Sequence, residues 1–394
     1  MSLHDVLELV DKVYWVGVRD WNRRMFDALI PLPYGTTYNA YLVKGGTRSA
    51  LIDTVNPGFE KELEAKLRQV MDPDDLDFLI MNHAEPDHAG AIPHVLSLSE
   101  KTQLVTSEKG AQMAKIYYKT PERRIHVVKD GDTLDLGGRT LRFIEAPFLH
   151  WPETIFTYLV EDRILFPCDF FGAHSAHGVY DEDVEDLALI AKRYFGEIMM
   201  PYRGMGKRGV DKVKNLNIKM IAPSHGPIYK NPKRIIDLYT KWTNGETSEK
   251  VVVLYVTMWN DVEKMILPLV EKLRSEGVEV VVHNLVVADI ARIAEDLVDS
   301  RAIVLGSPTV LGGAHPLAVY AAFLAKALKP AAKYGALLTS YGWGGGALKQ
   351  LAELLTPLKL EVLGAMEVNG PPSEDDLSKV IELGKTIASK VKGN

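Results

Sequence analysis

The stretch His83-Ala84-Glu85-Pro86-Asp87-His88 decides the fold of the first half of this chain, and it directly follows the apolar run Phe78–Met81. In an extended segment, alternate residues point to the same side. His83, Glu85 and Asp87 therefore place an imidazole and two carboxylates on one side, and His88 adds a fourth donor at the same turn. Such a cluster at the end of a strand predicts a metal site.

Three further candidate ligands lie directly after other predicted strands, where loops converge over one rim of a sheet sandwich. These are His150 after Leu141–Ala146, Asp169 after Ile164–Cys168, and His225 after Met220–Pro223. The resulting four His, two Asp and one Glu are too many for one tetrahedral zinc, and they suit two metals if one carboxylate bridges. Mixed imidazole and carboxylate donors favour iron, manganese or zinc over copper(I).

Each of these histidines taken alone would more often be a structural or exposed residue. Their common position at strand ends is what favours ligation. The other histidines have no such setting, and His174 and His177 are expected to be loop residues, although they follow Asp169 closely in sequence.

Composition and charge exclude several classes of protein. The 394 residues are 46% hydrophobic and 25% charged, as in ordinary globular proteins, and the length suggests two domains. With 46 Lys and Arg against 52 Asp and Glu, the net charge of −6 gives no support for nucleic-acid binding. The single cysteine, Cys168, excludes an intramolecular disulfide and a cysteine-ligated cluster. No apolar run is long enough for a membrane span, and the start Met-Ser-Leu-His-Asp lacks a signal-peptide pattern. We therefore expect a cytoplasmic protein.

The pattern of elements predicts two domains, residues 1–249 and 250–394, with the polar stretch Lys241–Gly245 as linker. In the first, consecutive β runs joined by Gly turns favour a two-sheet core with outer helices. Its predicted strands are Val13–Val18, Tyr38–Val43, Ser49–Asp53, Phe78–Asn82, Leu104–Thr106, Leu141–Ala146, Thr154–Leu159, Ile164–Cys168 and Met220–Pro223.

From Val251 onward, strands and helices alternate regularly, which predicts a doubly wound parallel sheet of five strands. The predicted strands are Val251–Val256, Glu279–Val286, Ala302–Gly306, Tyr334–Ser340 and Leu360–Val368. The predicted helices between and after them are Asp261–Ser275, Ile290–Val298, Pro316–Leu328, Ala347–Leu355 and Glu374–Val391.

The donor pattern resembles the diiron motif of the flavodiiron proteins (A-type flavoproteins), and the resemblance covers nearly the whole chain. Hydrolases of the same superfamily usually carry His-Xaa-His-Xaa-Asp-His, so Glu85 is the discriminating residue. Flanking segments agree: Gly35-Thr-Thr-Tyr-Asn-Ala-Tyr41, Leu149-His-Trp-Pro152, Cys168-Asp169 and Ala222-Pro-Ser-His-Gly-Pro227. The resemblance implies an α+β metallo-β-lactamase-like αββα sandwich, followed by an α/β flavodoxin-like doubly wound parallel five-stranded sheet.

The resemblance also implies a role for each donor. One iron would be held by His83, Glu85 and His150, and the other by Asp87, His88 and His225, with Asp169 bridging. Asp27 stands where many members have a His near the diiron pocket, and it is a candidate for tuning substrate choice or proton delivery. Tyr194 is a candidate pocket hydroxyl.

Three loops at strand ends are the candidate FMN site, and the resemblance places the flavin ring between the second and third. The candidate residues are Thr257, Met258, Trp259 and Asn260; Ser307, Pro308, Thr309 and Gly312; and Ser340, Tyr341, Gly342, Trp343 and Gly344. Members of the family normally have hydroxyl residues where this chain has Asp261 and Val262. We expect Asp261 to cap the following helix, and FMN binding to be weaker than usual and carried mostly by backbone amides.

The implied function is reduction of O2 to water, of NO to N2O, or both, by electrons passed through FMN to a diiron site. No Cys-Xaa-Xaa-Cys pair is present, so the expected donor is a separate rubredoxin or a reduced deazaflavin. The basic stretch Arg203–Lys214 is either a docking face for an acidic carrier or a solvated helix face. A head-to-tail homodimer or tetramer is expected, with no nucleic-acid or membrane partner.

Two alternatives remain from the sequence. The first is a metallo-β-lactamase-fold zinc hydrolase with an accessory flavodoxin domain, which would use metal-bound hydroxide. The second is an electron-transfer flavoprotein whose metal domain is degenerate.

Overall fold

The computed structural model describes residues 5–393. The prediction that no signal peptide is present rests on the first five residues and so lies largely outside this range. The chain forms two compact units. One comprises residues up to Tyr194 with Gly204–Thr240, and the other comprises Phe195–Arg203 with the residues from Lys241 onward. The division into domains 1–249 and 250–394 stays a prediction.

The first unit contains two main sheets. Its strands are β1 (Leu7–Val10), β2 (Val13–Trp15), β3 (Val18–Asp20), β4 (Met25–Phe26), β5 (Ile30–Pro31), β6 (Thr36–Tyr38), β7 (Tyr41–Lys44), β8 (Ser49–Ile52), β9 (Phe78–Ile80), β10 (Gln103–Thr106), β11 (Ile125–Val127), β12 (Thr133–Asp135), β13 (Thr140–Glu145), β14 (Ile155–Leu159), β15 (Ile164–Phe166) and β16 (Met220–Ile221). One sheet has the order β1-β2-β7-β8-β9-β10-β11, and the other β12-β13-β14-β15-β16.

Apolar side chains from both sheets form one buried core. Tyr41 and Ile80 come from the first sheet, and Phe143 and Phe166 from the second. The helices of this part of the chain are α1 (Glu60–Val70), α2 (Pro86–Ala89), α3 (Ile92–Leu98), α4 (Glu108–Tyr117), α5 (Leu187–Tyr194), α6 (Arg203–Lys214) and α7 (Pro232–Asn244). Helices α1 to α4 connect the parallel strands β8 to β11, as parallel pairing requires. The predicted α+β sandwich is confirmed.

Two predicted strands and the predicted linker were wrong in detail. Val13–Val18 is interrupted at Gly17, because the chain there lies against another segment: a Cβ at Gly17 would be 2.5 Å from the carbonyl oxygen of Tyr38. Tyr38–Val43 is likewise divided between β6 and β7. The stretch predicted as a linker, Lys241–Gly245, is helical as far as Asn244, because α7 continues through it.

The second unit is a parallel sheet with helices on its faces. Its strands are β17 (Lys250–Tyr255), β18 (Glu279–Asn284), β19 (Ala302–Val310), β20 (Gly313–Ala314), β21 (Tyr334–Tyr341) and β22 (Glu361–Asn369). Its helices are α8 (Asp261–Ser275), α9 (Ile290–Leu297), α10 (Pro316–Leu328), α11 (Ala347–Leu355) and α12 (Glu374–Lys392). The order β18-β17-β19-β21-β22 is parallel throughout, and the short β20 pairs antiparallel with β19.

Helices α8 and α12 pack together against this sheet, and Leu269 and Ile387 join Val251 and Val253 in the buried core. A strand covered on both faces carries no polar alternation, which is why β17 reads as a continuous apolar run. The predicted five-stranded doubly wound sheet is confirmed. Within residues 5–393, no helix combines the length and the apolar character needed to cross a bilayer.

Candidate functional site

The seven predicted donors all meet at one rim of the sandwich. His83 and Glu85 lie between β9 and α2, and Asp87 and His88 lie in α2. Pro86 is the first residue of α2, where the missing proline N–H removes no helical hydrogen bond. The chain therefore changes from extended to helical between Glu85 and Asp87. The three other donors follow β13, β15 and β16: His150, Asp169 and His225.

The first group of donors gathers around Glu85. Its Oε2 lies 3.1 Å from Nε2 of His83 and 3.0 Å from Nε2 of His150. Two ligands bound about 2.1 Å from one tetrahedral ion are about 3.4 Å apart. The spacing of these three groups therefore matches that of ligands to a single small cation.

The second group gathers around Asp87. Its Oδ2 lies 3.3 Å from Nε2 of His88 and 3.1 Å from Nε2 of His225. Ligand atoms of all three residues lie within 4.8 Å of one another, and all three residues are buried. The spacing of this second group therefore also matches that of ligands to one small cation.

Asp169 lies between the two groups, with one carboxylate oxygen toward each. Its Oδ2 is 3.5 Å from Nε2 of both His83 and His150. Its Oδ1 is 3.0 Å from Nε2 of His88 and 3.4 Å from Nε2 of His225. This is the geometry of a carboxylate that can bridge two cations.

The donors fit a metal pair chemically as well as geometrically. Both carboxylate oxygens of Asp87, both ring nitrogens of His88 and Oδ2 of Asp169 are buried without a hydrogen bond. Buried polar atoms without partners cost free energy, and bound cations would satisfy them. Burial opposes a charged His88 ring, but Asp169 and Asp87 outweigh it and raise the pKa of His88 to about 9. The carboxylates thus attract positive charge to this point.

The three candidate flavin loops meet at one edge of the second sheet. Thr257–Asn260 joins β17 to α8, and β19 lies between β17 and β21. The structure places the remaining candidates in or directly after β19 and β21: Ser307, Pro308 and Thr309 in β19, Gly312 in the turn to β20, Ser340 and Tyr341 at the end of β21, and Gly342, Trp343 and Gly344 after it.

β19 is longer than predicted, because its last residues remain paired. Ser307 and Pro308 align with Thr339 and Ser340 of β21, and Thr309 pairs with Ala314 of β20. The predicted end at Gly306 was therefore too early, although proline is unusual within a strand.

Each of the three loops exposes one large apolar side chain. Trp259 of the first loop is 81% exposed, and Leu311 of the second and Trp343 of the third are fully exposed. A Cβ built at Gly312 or Gly344 would meet no atom within 4 Å. Exposed apolar side chains at adjacent strand ends are typical of a binding surface, and they suit a flat apolar ring such as a flavin.

Some polar side chains in these loops already make hydrogen bonds within the protein, and others do not. Oγ1 of Thr257 is buried without a hydrogen bond. The Ser307 hydroxyl instead accepts from the backbone N–H of His315 at 3.0 Å and donates to the carbonyl of Pro308 at 2.8 Å. Thr257 is therefore open to a ligand, whereas Ser307 stabilises its own turn.

Comparison with known proteins adds relatives that match over their full length. A family model described as ODP family beta lactamase matches residues 36–226. A nitric oxide reductase of Moorella thermoacetica is 39% identical over 97% of this chain and 98% of that protein. A coenzyme F420H2 oxidase of Methanocaldococcus jannaschii is 33% identical over 98% of this chain and 97% of that protein.

Solved structures agree with these relatives. The rubredoxin oxygen:oxidoreductase of Desulfovibrio gigas superposes with a TM-score of 0.96 at 30% identity, covering 99% of both chains. The flavodiiron protein of Giardia intestinalis superposes with a TM-score of 0.93 at 27% identity, covering 99% of this chain and 98% of that one. The chain belongs to the flavodiiron protein family. The protein is therefore an oxidoreductase. The cofactors of this family are a flavin and a pair of irons. Membership of the family does not favour the alternative of a zinc hydrolase.

Two histidines of this flavodiiron site are oriented by neighbours that the sequence did not reveal. Nδ1 of His83 lies 2.7 Å from Oε1 of the buried Glu153, which also accepts from the backbone N–H of Ala84 at 2.8 Å. Nδ1 of His225 lies 2.6 Å from the carbonyl oxygen of Thr37. Both contacts leave Nε2 free for a metal. Glu153 follows the segment 149–152 directly, but spacing alone gave no sign that it turns toward His83.

Replacing Glu153 with glutamine is expected to lower the affinity of the site for iron by about 10- to 100-fold, as loss of such a supporting carboxylate typically does. Glutamine keeps a similar shape but removes the charge that orients and polarises His83. Competition with a chelator measures the change. Glu145→Gln, on an exposed position of β13, is the control, and equal chelator resistance in the two variants would contradict the assigned role.

The two candidate catalytic residues differ in their setting. The hydroxyl of the buried Tyr194 donates to Oδ1 of Asp169 at 2.8 Å. Burial and the Asp169 charge raise the Tyr194 pKa well above its usual value, so it stays a donor. Asp27 is exposed to solvent. Partial burial raises its pKa, and the negative charges of Glu85 and Asp87 raise it further.

His174 lies in a loop, as expected, but this loop brings it beside the metal donors, which the sequence did not indicate. It is buried, its ring centroid lies 4.8 Å from those of both His225 and Tyr194, and Oγ1 of Thr36 is 2.9 Å from its Nδ1. Its Nε2 is buried without a partner. The position five residues after Asp169 was the available signal, but the similar placement of the exposed His177 made it ambiguous.

The expectation that Asp261 caps α8 was wrong. Asn260 takes the N-cap position in a left-handed conformation with φ 67°, and it makes no side-chain cap hydrogen bond. Asp261 is therefore already inside the helix, and its Oδ1 lies 3.9 Å from Nζ of Lys264.

Proposed function

We propose that this flavodiiron protein reduces dioxygen to water, nitric oxide to nitrous oxide, or both, with electrons from an external donor. The observation that carries the proposal is the position of Asp169, whose two carboxylate oxygens face two separate groups of donors. A hydrolase of this superfamily would normally have a histidine at position 85. Here, Glu85 is the centre of the first group.

We assign the donors to two irons. His83, Glu85 and His150 would hold the first and Asp87, His88 and His225 the second, with Asp169 contacting both. When bound, the flavin supplies stored electrons, and a reduced iron pair supplies electrons together with open coordination positions for a small molecule.

The protein's own residues shield and orient this centre. His83, His88, His225 and Asp169 are each no more than 1% exposed, so bulk water is excluded from most of the donor shell. The Tyr194 hydroxyl fixes Oδ1 of Asp169 and holds a proton beside the pocket. Asp27, at the solvent side, is the candidate entry point for protons consumed by the reaction.

The donor of electrons is proposed to be a separate rubredoxin or a reduced deazaflavin. Relatives named as a rubredoxin oxygen:oxidoreductase and as a coenzyme F420H2 oxidase support each choice. The single cysteine means that this chain has no four-cysteine iron site of its own.

We also propose a head-to-tail homodimer or a tetramer built from it. Exposed apolar side chains at the flavin edge, among them Val287, Leu311 and Trp343, support burial of this edge against another chain. The mass of the protein in solution distinguishes one, two and four copies.

Single-turnover oxidation of the flavin tests the function. The protein is reduced fully under anaerobic conditions, O2 or NO is added separately, flavin absorbance is followed, and N2O is measured by gas chromatography. Rapid flavin oxidation by at least one gas is expected. A protein that holds two zinc ions and hydrolyses thioesters would refute the proposal. Flavin oxidation unchanged by removal of the metals would instead favour the electron-transfer alternative.

A further inference from the structure

The end of α8 that faces the flavin loops is acidic. Asp261 and Glu263 are both in its first turn. A helix N-terminus attracts anions because its dipole and free N–H groups are positive, and carboxylates in the first turn neutralise that charge. The carboxylates of Asp261 and Glu263 thus offset the positive charge of the helix end that would otherwise attract a phosphate group.

Neither carboxylate is strongly neutralised by a cation. Oδ1 of Asp261 lies 3.9 Å from Nζ of Lys264, whose side chain is 55% exposed, so water screens this pair. Glu263 accepts a hydrogen bond of 2.6 Å from the hydroxyl of Tyr255, which is a neutral partner. The negative charge at the start of α8 therefore persists.

The flavin loops also offer little that would bind a phosphate. Residues 257–263, 307–313 and 340–347 contain no Lys or Arg. In the first of these loops, Thr257 is the only hydroxyl side chain, and Val262 is buried against the backbone of Gly306. In the third, the N–H of Gly346 already donates to Oε1 of Glu367 at 3.3 Å. A phosphate dianion would meet more negative than positive charge here.

The second and third loops, between which the flavin ring would lie, are apolar and not acidic. Trp343 and Leu311 are fully exposed there, and the glycines allow a ligand to approach the backbone closely. We propose that this chain recognises a flavin by its ring and sugar-alcohol chain and that the phosphate adds little binding free energy. This proposal rests on the flavin site of the proposed function. Riboflavin, which lacks the phosphate, binds about as well as FMN.

Titration of the flavin-free full-length chain with FMN and with riboflavin tests this, with quenching of flavin fluorescence as the readout. The two dissociation constants are expected to agree within about tenfold, because the interaction of the phosphate with the helix end is largely cancelled. Raising the salt concentration is expected to tighten FMN binding and leave riboflavin binding unchanged, because salt screens the repulsion.

Asp261→Asn is the matched variant, since it removes the charge and keeps the shape. It is expected to tighten FMN binding about tenfold without altering riboflavin binding. Glu271→Gln is the control: it lies in the same helix, about 15 Å away at 1.5 Å per residue, and it should change neither.

FMN binding more than about a hundredfold tighter than riboflavin, or an FMN-to-riboflavin ratio unmoved by Asp261→Asn, would overturn the inference and leave the proposed function intact. Failure of both flavins to bind would overturn the proposed function itself.

Discussion

Asp169→Ala is expected to abolish loading of the iron pair and to lower O2 or NO turnover by at least about a thousandfold, since loss of metal-ion catalysis costs several kcal/mol of barrier. The physical reason is the shared position of this carboxylate. Its oxygens approach His83 and His150 on one side and His88 and His225 on the other. Without it, each position loses a ligand and the charge that holds the cations together. Iron content by mass spectrometry and steady-state gas consumption measure the effect.

Two controls separate loss of the bridge from general damage. Tyr194→Phe removes only the hydroxyl that donates to Asp169 and should retain the iron. Glu185→Ala removes an exposed carboxylate of the same unit and should change neither iron content nor turnover. An Asp169→Ala protein that keeps its full iron content would show that the carboxylate is not a bridge.

Gly226→Ala is expected to destabilise the first unit by about 3 kcal/mol, combining about 1 kcal/mol for left-handed backbone with the cost of a steric clash. Gly226 has φ +79°, and a Cβ there would lie 2.2 Å from the carbonyl oxygen of Ala173. Since the residue directly follows His225, the shift that relieves the clash should also weaken iron binding. Scanning calorimetry is the appropriate measurement, because a chain of two units need not unfold in a single step.

Gly131→Ala provides the comparison. Gly131 has φ +89°, but a Cβ there would meet no atom within 4 Å. This variant should therefore show only the backbone cost, about 1 kcal/mol, with normal iron binding. Equal losses in the two variants would mean that the contact with Ala173 relaxes freely.

The sequence predicted most of the metal centre because its ligands follow strands, and strand ends are visible in the pattern. His83, Glu85, Asp87 and His88 are close in sequence, so one turn brings them together. His150 and the later donors could be assigned because each follows an apolar run. The regular alternation in the second half likewise predicted its sheet.

Contacts between residues that are far apart in the sequence could not be predicted from the pattern of strands. Glu153 reaches His83 across 70 residues of sequence, and His174 lies beside His225 because of how a loop folds back. The strand interruption at Gly17 coincides with a close approach of the Tyr38 backbone, which the local pattern did not indicate. Apolar periodicity reports which face of an element is buried, but it does not report which distant residue lies against that face.

The shared carboxylate of Asp169 makes the two metal positions thermodynamically dependent on each other. Because burial and the Tyr194 hydroxyl already hold the side chain of Asp169 in place, the two positions are coupled through charge, since each cation would be attracted by the same carboxylate. By linkage, an ion bound at one position is expected to change the affinity of the other position by the same factor as the reverse.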